Sequence, residues 1–280
     1  MISLDDATLM SYLREDVPYG DMTTRPLQLD GEEAVMTFSA RGDMTVCAIE
    51  EAGRLLELIG CTVVLYVHSG DSVASGHLLL RAQGRADVIL MGWKVSQVMV
   101  EWASGVASAS AALVVAAREV RDNAVIACTR KAVPGTRALS AKAIMSGGAA
   151  LHRTGLSDTI LLFPEHRSLA EPLMSLPEQI ASLKQANPER NVVVEVKSIE
   201  EALDVAAAGA DVLQLEKFSP SDISLLLEKL GGKGRPKIAA AGGINPGNVG
   251  DYARTGVEIL VTSYPYYAKP ADVQVRIEKP

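Results

Sequence analysis

Residues 191–218 read NVVVEVKSIEEALDVAAAGADVLQLEKF, and their pattern decides the fold. NVVVEV (191–196) and DVLQLE (211–216) are short, nearly continuous apolar runs. Such runs suit the strands of a parallel sheet, which are covered on both faces. The stretch between them, SIEEALDVAAAG, has helical rather than alternating spacing. Strand, helix and strand in this order make one β/α unit, with the second strand parallel to the first.

The unit repeats outward. AVIACT (124–129), DTILLF (158–163), KIAAAGG (237–243) and VEILVTS (257–263) are further candidate strands, with helical stretches such as PSDISLLLEKLG between most of them. Six such units predict a barrel or an incomplete barrel. A doubly wound sheet is the alternative, but no G-x-G-x-x-G follows the first strand. Upstream the pattern differs. SLDDATLMSYLR (3–14) predicts a short helix capped by Ser3 or Asp5, with an apolar stripe of Leu9, Tyr12 and Leu13. AVMTFSA, MTVCAI, TVVLYV, HLLLRAQG and ADVILM predict strands, with one amphipathic helix, EEAGRLLELIG, among them. A long helical segment covers 92–120, and its small residues permit close packing. The expected boundary lies near residue 108, giving a first domain of 1–108 and a barrel domain of 109–269. Residues 270–280 are expected to return to the first domain as a strand.

The chain has 280 residues and a formal net charge of -7, which argues against a general nucleic-acid or anionic-membrane binder. Hydrophobic residues make up 48% of it, enough for a large core. Cys47, Cys61 and Cys128 lack metal-ligand spacing and read as buried thiols. No signal-peptide pattern and no 18-residue apolar span is read, so the expectation is a cytoplasmic protein without membrane insertion. VHSGDSVASGHLLLRAQG has the rhythm of a biotinyl-type hairpin, but no lysine stands on its turn to carry a cofactor.

Barrel active sites lie at the C-terminal ends of the strands. There the sequence places Arg130 and Lys131, Glu195, Glu216 and Lys217, Gly242 and Gly243, and Ser263. His152 and Arg153 are read in the loop before the second strand. Cations neutralise phosphates or carboxylates, and arginine can do so with two hydrogen bonds at once. Carboxylates can hold Mg²⁺ or stabilise developing positive charge. Backbone N–H groups after the glycine pair, at a helix start, can cradle a phosphate. Taken singly, each residue could be an ordinary strand end. Together they describe a polyanion site.

EDVPYGDMTT, CTRKAVPGTR, GGAALHRTGLSDTILL, EVKSIEEALDVAAAGADVLQLEKF and AAGGINPGNVGDYARTGVEIL, in this order, resemble the quinolinate phosphoribosyltransferases. The resemblance spans nearly the whole chain and is most specific in the T-R-K…P-G-x-R and H-R-x-G-L-x-D pair. It implies an N-terminal α/β sandwich domain and an open α/β barrel of about six parallel strands. It also implies a homodimer whose active site is shared between subunits, with a hexamer as the larger alternative. The implied reaction transfers phosphoribosyl from phosphoribosyl pyrophosphate, with Mg²⁺, and releases pyrophosphate. By resemblance Arg130, Lys131, His152 and Arg153 bind the acid acceptor and the sugar donor. Lys94 reaches the acceptor from the other subunit, and Lys131, Glu195 and Glu216 are catalytic. Glu195 and Glu216 share the metal with substrate, while Gly242, Gly243 and Ser263 hold phosphate.

The departures are as informative. Phe163 stands where the family carries a lysine, Lys217 and Glu216 where it has L-D-N, Ala239 and Ala241 where it has Glu and Ser, and Tyr267 near its His. Losing a cation facing a diacid would leave a carboxylate unpaired. An acceptor other than quinolinate is therefore expected, an organic acid or aromatic compound, as in the family's ModD branch. A genuine quinolinate enzyme of NAD synthesis is the alternative. A non-catalytic oxyanion binder linked to molybdate transport is the alternative from another class.

Overall fold

The computed structural model describes residues 2–280 apart from 30, 172 and 233. In chain order the elements are α1 (Asp6–Asp16), β1 (Glu33–Ala40), β2 (Met44–Thr45), α2 (Ile49–Leu58), β3 (Thr62–Leu65), β4 (Ser72–Val73), β5 (Leu78–Arg85) and α3 (Ala86–Arg118). They continue with β6 (Val125–Cys128), α4 (Arg137–Ser146), β7 (Ala150–Leu151), β8 (Ile160–Leu162), α5 (Pro164–Ala170), α6 (Leu176–Ala186), β9 (Val192–Val196) and α7 (Ile199–Ala207). The last are β10 (Val212–Glu216), α8 (Pro220–Leu230), β11 (Lys237–Ala241), α9 (Val249–Arg254), β12 (Ile259–Thr262) and β13 (Val273–Glu278). They group into two compact units. One contains residues 1–111, 132–148 and 265–280, and the other 112–131 and 149–264. Residues 132–148, read within the barrel domain, thus cluster with the first unit.

In the first unit, β13, β1, β5 and β3 form an antiparallel sheet in that order. β13 pairs with β1 from Val35–Glu278 to Ala40–Val273. Asp5 caps α1 by accepting from the Thr8 N–H at 2.7 Å, and Leu9 and Leu13, one turn apart, are buried.

Two expected strands are corrected here. ADVILM begins α3 instead. Ala86 and Ile89 are buried at helical spacing, and Asp87, hydrogen-bonded by Arg85 at 2.7 Å, lies in the first turn where a carboxylate favours a helix start. MTVCAI is extended only at β2. Beyond it the N–H groups of Cys47 and Ala48 donate to the hydroxyls of Ser104 and Ser69, so side chains take the place of a strand partner there. The reading of no long apolar span is also corrected: α3 is long and apolar enough to cross a bilayer by length and composition. More than half of that stretch is buried inside the protein. Small residues make it a packing helix: a Cβ on Gly147 would meet the Ser110 Cβ of α3 at 2.5 Å.

In the second unit, seven parallel strands among the described residues run in the order β7-β6-β12-β11-β10-β9-β8. The first full strand, β6, lies beside the last, β12, so the order closes like a barrel and has no doubly wound switch point. Consecutive β7 and β8 are the two edges, and the barrel is open there. β7 is the strand that pattern reading missed, being only two residues long.

Candidate active site

The barrel interior fixes which side chains share a face. Leu161, Val193, Val212, Ala239, Ala241 and Val261 form its buried core, with Phe163 and Ile259 packed against it. Side chains alternate along a strand, so residues two positions further on point inward one layer higher. That layer contains Phe163, Glu195, Gln214 and Ser263, with Glu216 above Gln214. Thr129 joins it, because Ala127 pairs with Val261 and the Thr129 hydroxyl lies 2.6 Å from that of Ser263.

The cations gather on one flank. Arg130 and Lys131 follow β6, and the Lys131 N–H donates weakly to the Thr129 hydroxyl at 3.4 Å. His152 and Arg153 follow β7 directly, a correction to the loop reading: they too stand at a strand's C-terminal end. The His152 N–H donates to the Cys128 carbonyl at 2.8 Å, which ties this turn to β6. Burial, and then the Arg153 charge, push the imidazole below its usual range, so it is neutral at pH 7. Arg153 is only 8% exposed. Its guanidinium reaches the Thr159 carbonyl at 3.5 Å and lies 5.8 Å from the Phe163 ring. Burial and the neighbouring Arg130 both lower its pKa. A buried cation beside another cation calls for an anion.

The carboxylates stand opposite. Burial, then the Glu216 charge, raise the Glu195 carboxyl above the ordinary range. Gln214, 6% exposed, donates from Nε2 to Glu195 Oε2 at 2.8 Å and fixes that carboxylate. Its own Oε1 has no hydrogen-bond partner, a cost accepted inside the barrel. No cluster of three or more metal-ligating side chains occurs among the described residues. A facing carboxylate pair nevertheless suits Mg²⁺, which keeps several waters and shares substrate phosphates.

Gly242 and Gly243 close β11 with φ of +95° and +79°. A Cβ on Gly242 would come within 2.6 Å of Lys217 Cγ and 3.2 Å of Glu216 Oε1. The expected helix start at the glycines is corrected: α9 begins only at Val249. The intervening loop is tied by Asn245 and Asn248, whose side-chain amides both donate to the Gly243 carbonyl at 3.1 Å. Lys94 belongs to the first unit. It is exposed on α3, donates to Gln97 Oε1 at 2.8 Å and lies 3.8 Å from the centre of the Trp93 ring. Tyr267, also of the first unit, is 77% exposed.

Sequence reading missed Gln214 and Thr129. Period-two counting from Val212 would have put Gln214 beside Glu195, but Thr129 acquires its role only through the β6–β12 pairing.

Comparison with known proteins agrees with this architecture. Residues 21–104 match the N-terminal domain of quinolinate phosphoribosyl transferase, and residues 106–276 match its C-terminal domain. The chain belongs to the quinolinate phosphoribosyl transferase family. The ModD protein of Rhodobacter capsulatus is 50% identical over 256 residues, covering 91% of this chain and 98% of that one. ModD of Pasteurella multocida is 36% identical across 100% of this chain and 99% of its own. The crystal structure of NadC from Streptococcus pyogenes superposes with a TM-score of 0.90 at 27% identity, covering 99% of each chain.

Proposed function

We propose that this family member is a phosphoribosyltransferase that takes phosphoribosyl pyrophosphate and an organic-acid or aromatic acceptor other than quinolinate. The observation that carries the acceptor reading is Phe163. It puts an aromatic ring, stacked on His166 at 5.8 Å and lying beside Arg153, where the resemblance calls for a lysine. A diacid would meet one cation fewer there, and a ring-bearing acceptor would meet a face to pack on.

In this reading the bond from the sugar C1 to pyrophosphate oxygen breaks as a bond from C1 to the acceptor nucleophile forms. Positive charge develops on the sugar, and Glu195 and Glu216 stabilise it from the barrel interior. Arg130, Lys131 and Arg153 neutralise the donor's phosphates and the acceptor's acid group, and hold them in line. Neutral His152 supplies an uncharged hydrogen-bond partner. The Gly242–Gly243 loop and the Ser263 hydroxyl receive a phosphate. Bound Mg²⁺, held by Glu195 and Glu216 and shared with substrate, would supply charge neutralisation for the leaving pyrophosphate. The working assembly is a cytoplasmic homodimer in which Lys94 serves the partner's barrel. Mixing inactive Lys94→Ala and Lys131→Ala subunits should then restore activity, and mixtures that stay dead would reject the sharing.

Pyrophosphate release from phosphoribosyl pyrophosphate and Mg²⁺, across quinolinate and a panel of aromatic acids and bases, tests the reading. Expected is release with an acceptor other than quinolinate. Phe163→Lys should shift preference toward the diacid. Efficient wild-type turnover of quinolinate would return the protein to NAD synthesis, and failure to bind the sugar donor at all would sink the transferase reading.

A further inference from the structure

Lys217 follows Glu216 at the end of β10 in an unexpected backbone conformation. Its φ is +61°, in the left-handed region that glycine and asparagine visit and that costs a residue with a long side chain. Nothing in the strand itself requires this, because β10 is regular up to Glu216. The conformation is held by the Lys217 N–H, which donates to the Ala241 carbonyl at 2.7 Å and so locks the residue to the end of β11. The stem of the side chain then lies against Gly242, where any Cβ would fall 2.6 Å from Lys217 Cγ and 2.9 Å from its backbone nitrogen. The same empty Cβ position lies 3.2 Å from Glu216 Oε1. The lysine is exposed and has no ion-pair partner among the described residues.

An ordinary solvated lysine at a strand end needs neither a left-handed backbone nor a neighbour without a side chain. Here both local costs bring the stem of a lysine side chain against the glycine loop. Strain of this kind persists where the surrounding structure over-determines it, and it gathers at ligand-binding sites. The same sequence lacks a cation at Phe163, so positive charge is redistributed from the acceptor end toward the glycine end. We propose that Lys217 is a phosphate-binding residue, its ammonium closing over the Gly242–Gly243 loop onto phosphoryl oxygens of the sugar donor. This rests on the phosphoribosyltransferase reading for the ligand's identity, and on the backbone and glycine geometry for the residue.

The test is calorimetric titration of phosphoribosyl pyrophosphate with Mg²⁺, and separately of inorganic pyrophosphate, into the wild-type protein, Lys217→Asn and Lys217→Arg. Asparagine keeps the left-handed backbone and drops the charge, while arginine keeps the charge. Expected is a loss of about ten- to hundredfold in affinity for Lys217→Asn, the range for one charge-assisted hydrogen bond. Lys217→Arg should retain most of the affinity. Lys217→Asn should melt no lower than the wild type, which separates a lost contact from a damaged fold. Equal affinity of Lys217→Asn and the wild type overturns the proposal. If the wild type binds pyrophosphate but not the sugar donor, the transferase reading fails, and the pyrophosphate affinities decide Lys217 alone. No wild-type binding of either ligand overturns both.

Discussion

Glu195 shows how a single position is set by what surrounds it. The residue interrupts an apolar strand, and strand alternation turns it into the barrel beside Glu216 and Gln214. Burial and the second carboxylate hold its proton to a higher pH than the ordinary 4.5 of an unfolded chain. The folded state therefore binds more protons in this window. Its contribution to stability is complete below the unfolded value and is lost as pH rises through the folded one. Glu195→Gln should flatten the fall in stability as pH rises above 4.5, measured by denaturant unfolding at each pH. If the proposed chemistry needs the charged form, the acid limb of activity should lie above the usual glutamate range. Gln214→Leu, which removes the stabilising N–H donor, should move that limb higher still. A limb unmoved by Gln214→Leu would remove Gln214 from the site. Glu195 was legible in the sequence, but the proximity that shifts it was not.

At the scale of elements, the first unit is pinned by a buried charge cluster that has no catalytic assignment. Lys142 on α4 donates to Glu51 at 2.5 Å and to Glu50 at 2.9 Å, both in the first turn of α2. The side chains of Lys142 and Glu51 are each 3% exposed. Burial works against the lysine's charged form, yet the two carboxylates raise it above its usual value. For Glu50, burial is likewise the largest influence, but Ser69 and Lys142 outweigh it and bring the carboxyl to about 2. Removing one member leaves an uncompensated interior charge. Lys142→Met should cost about 3–5 kcal/mol in denaturant unfolding, and pairing it with Glu51→Leu should recover much of that. A cost under about 1 kcal/mol would mean that water reaches the cluster. Because Glu50 is held low, its share of stability is present above 4.5 and lost as pH falls toward about 2. Sequence reading saw α2 as amphipathic but had no means to pair Lys142 with residues some ninety positions earlier.

At the scale of the whole molecule, the chain does not divide at one point. The first unit takes its edge strand β13 from the C-terminus, and its buried lysine from residues 132–148. A fragment of residues 1–108 would leave the β1 edge unpaired and Glu51 buried without its cation. Such a fragment should fail to show a cooperative thermal transition by circular dichroism, whereas the full chain should show one. A sharp transition in the fragment would mean that the first unit folds without its later segments.

The sequence by itself determined the repeating β/α units, because a buried parallel strand must be apolar throughout and a covering helix must repeat near 3.6 residues. It also placed Arg130, Lys131, Glu216 and Ser263 at strand ends, since a polar residue that closes an apolar run lies where the strand stops. Its resemblance to the family implied that Phe163 stands where a lysine would. Only the tertiary structure decided where the barrel opens, because β7 is too short to carry a period and is defined by pairing with β6. Only it decided the left-handed turn at Lys217 and the emptiness required at Gly242, which depend on β10 and β11 lying side by side. Local pattern records burial and periodicity; proximity between distant segments, and the charges it brings together, exist only once the chain has folded.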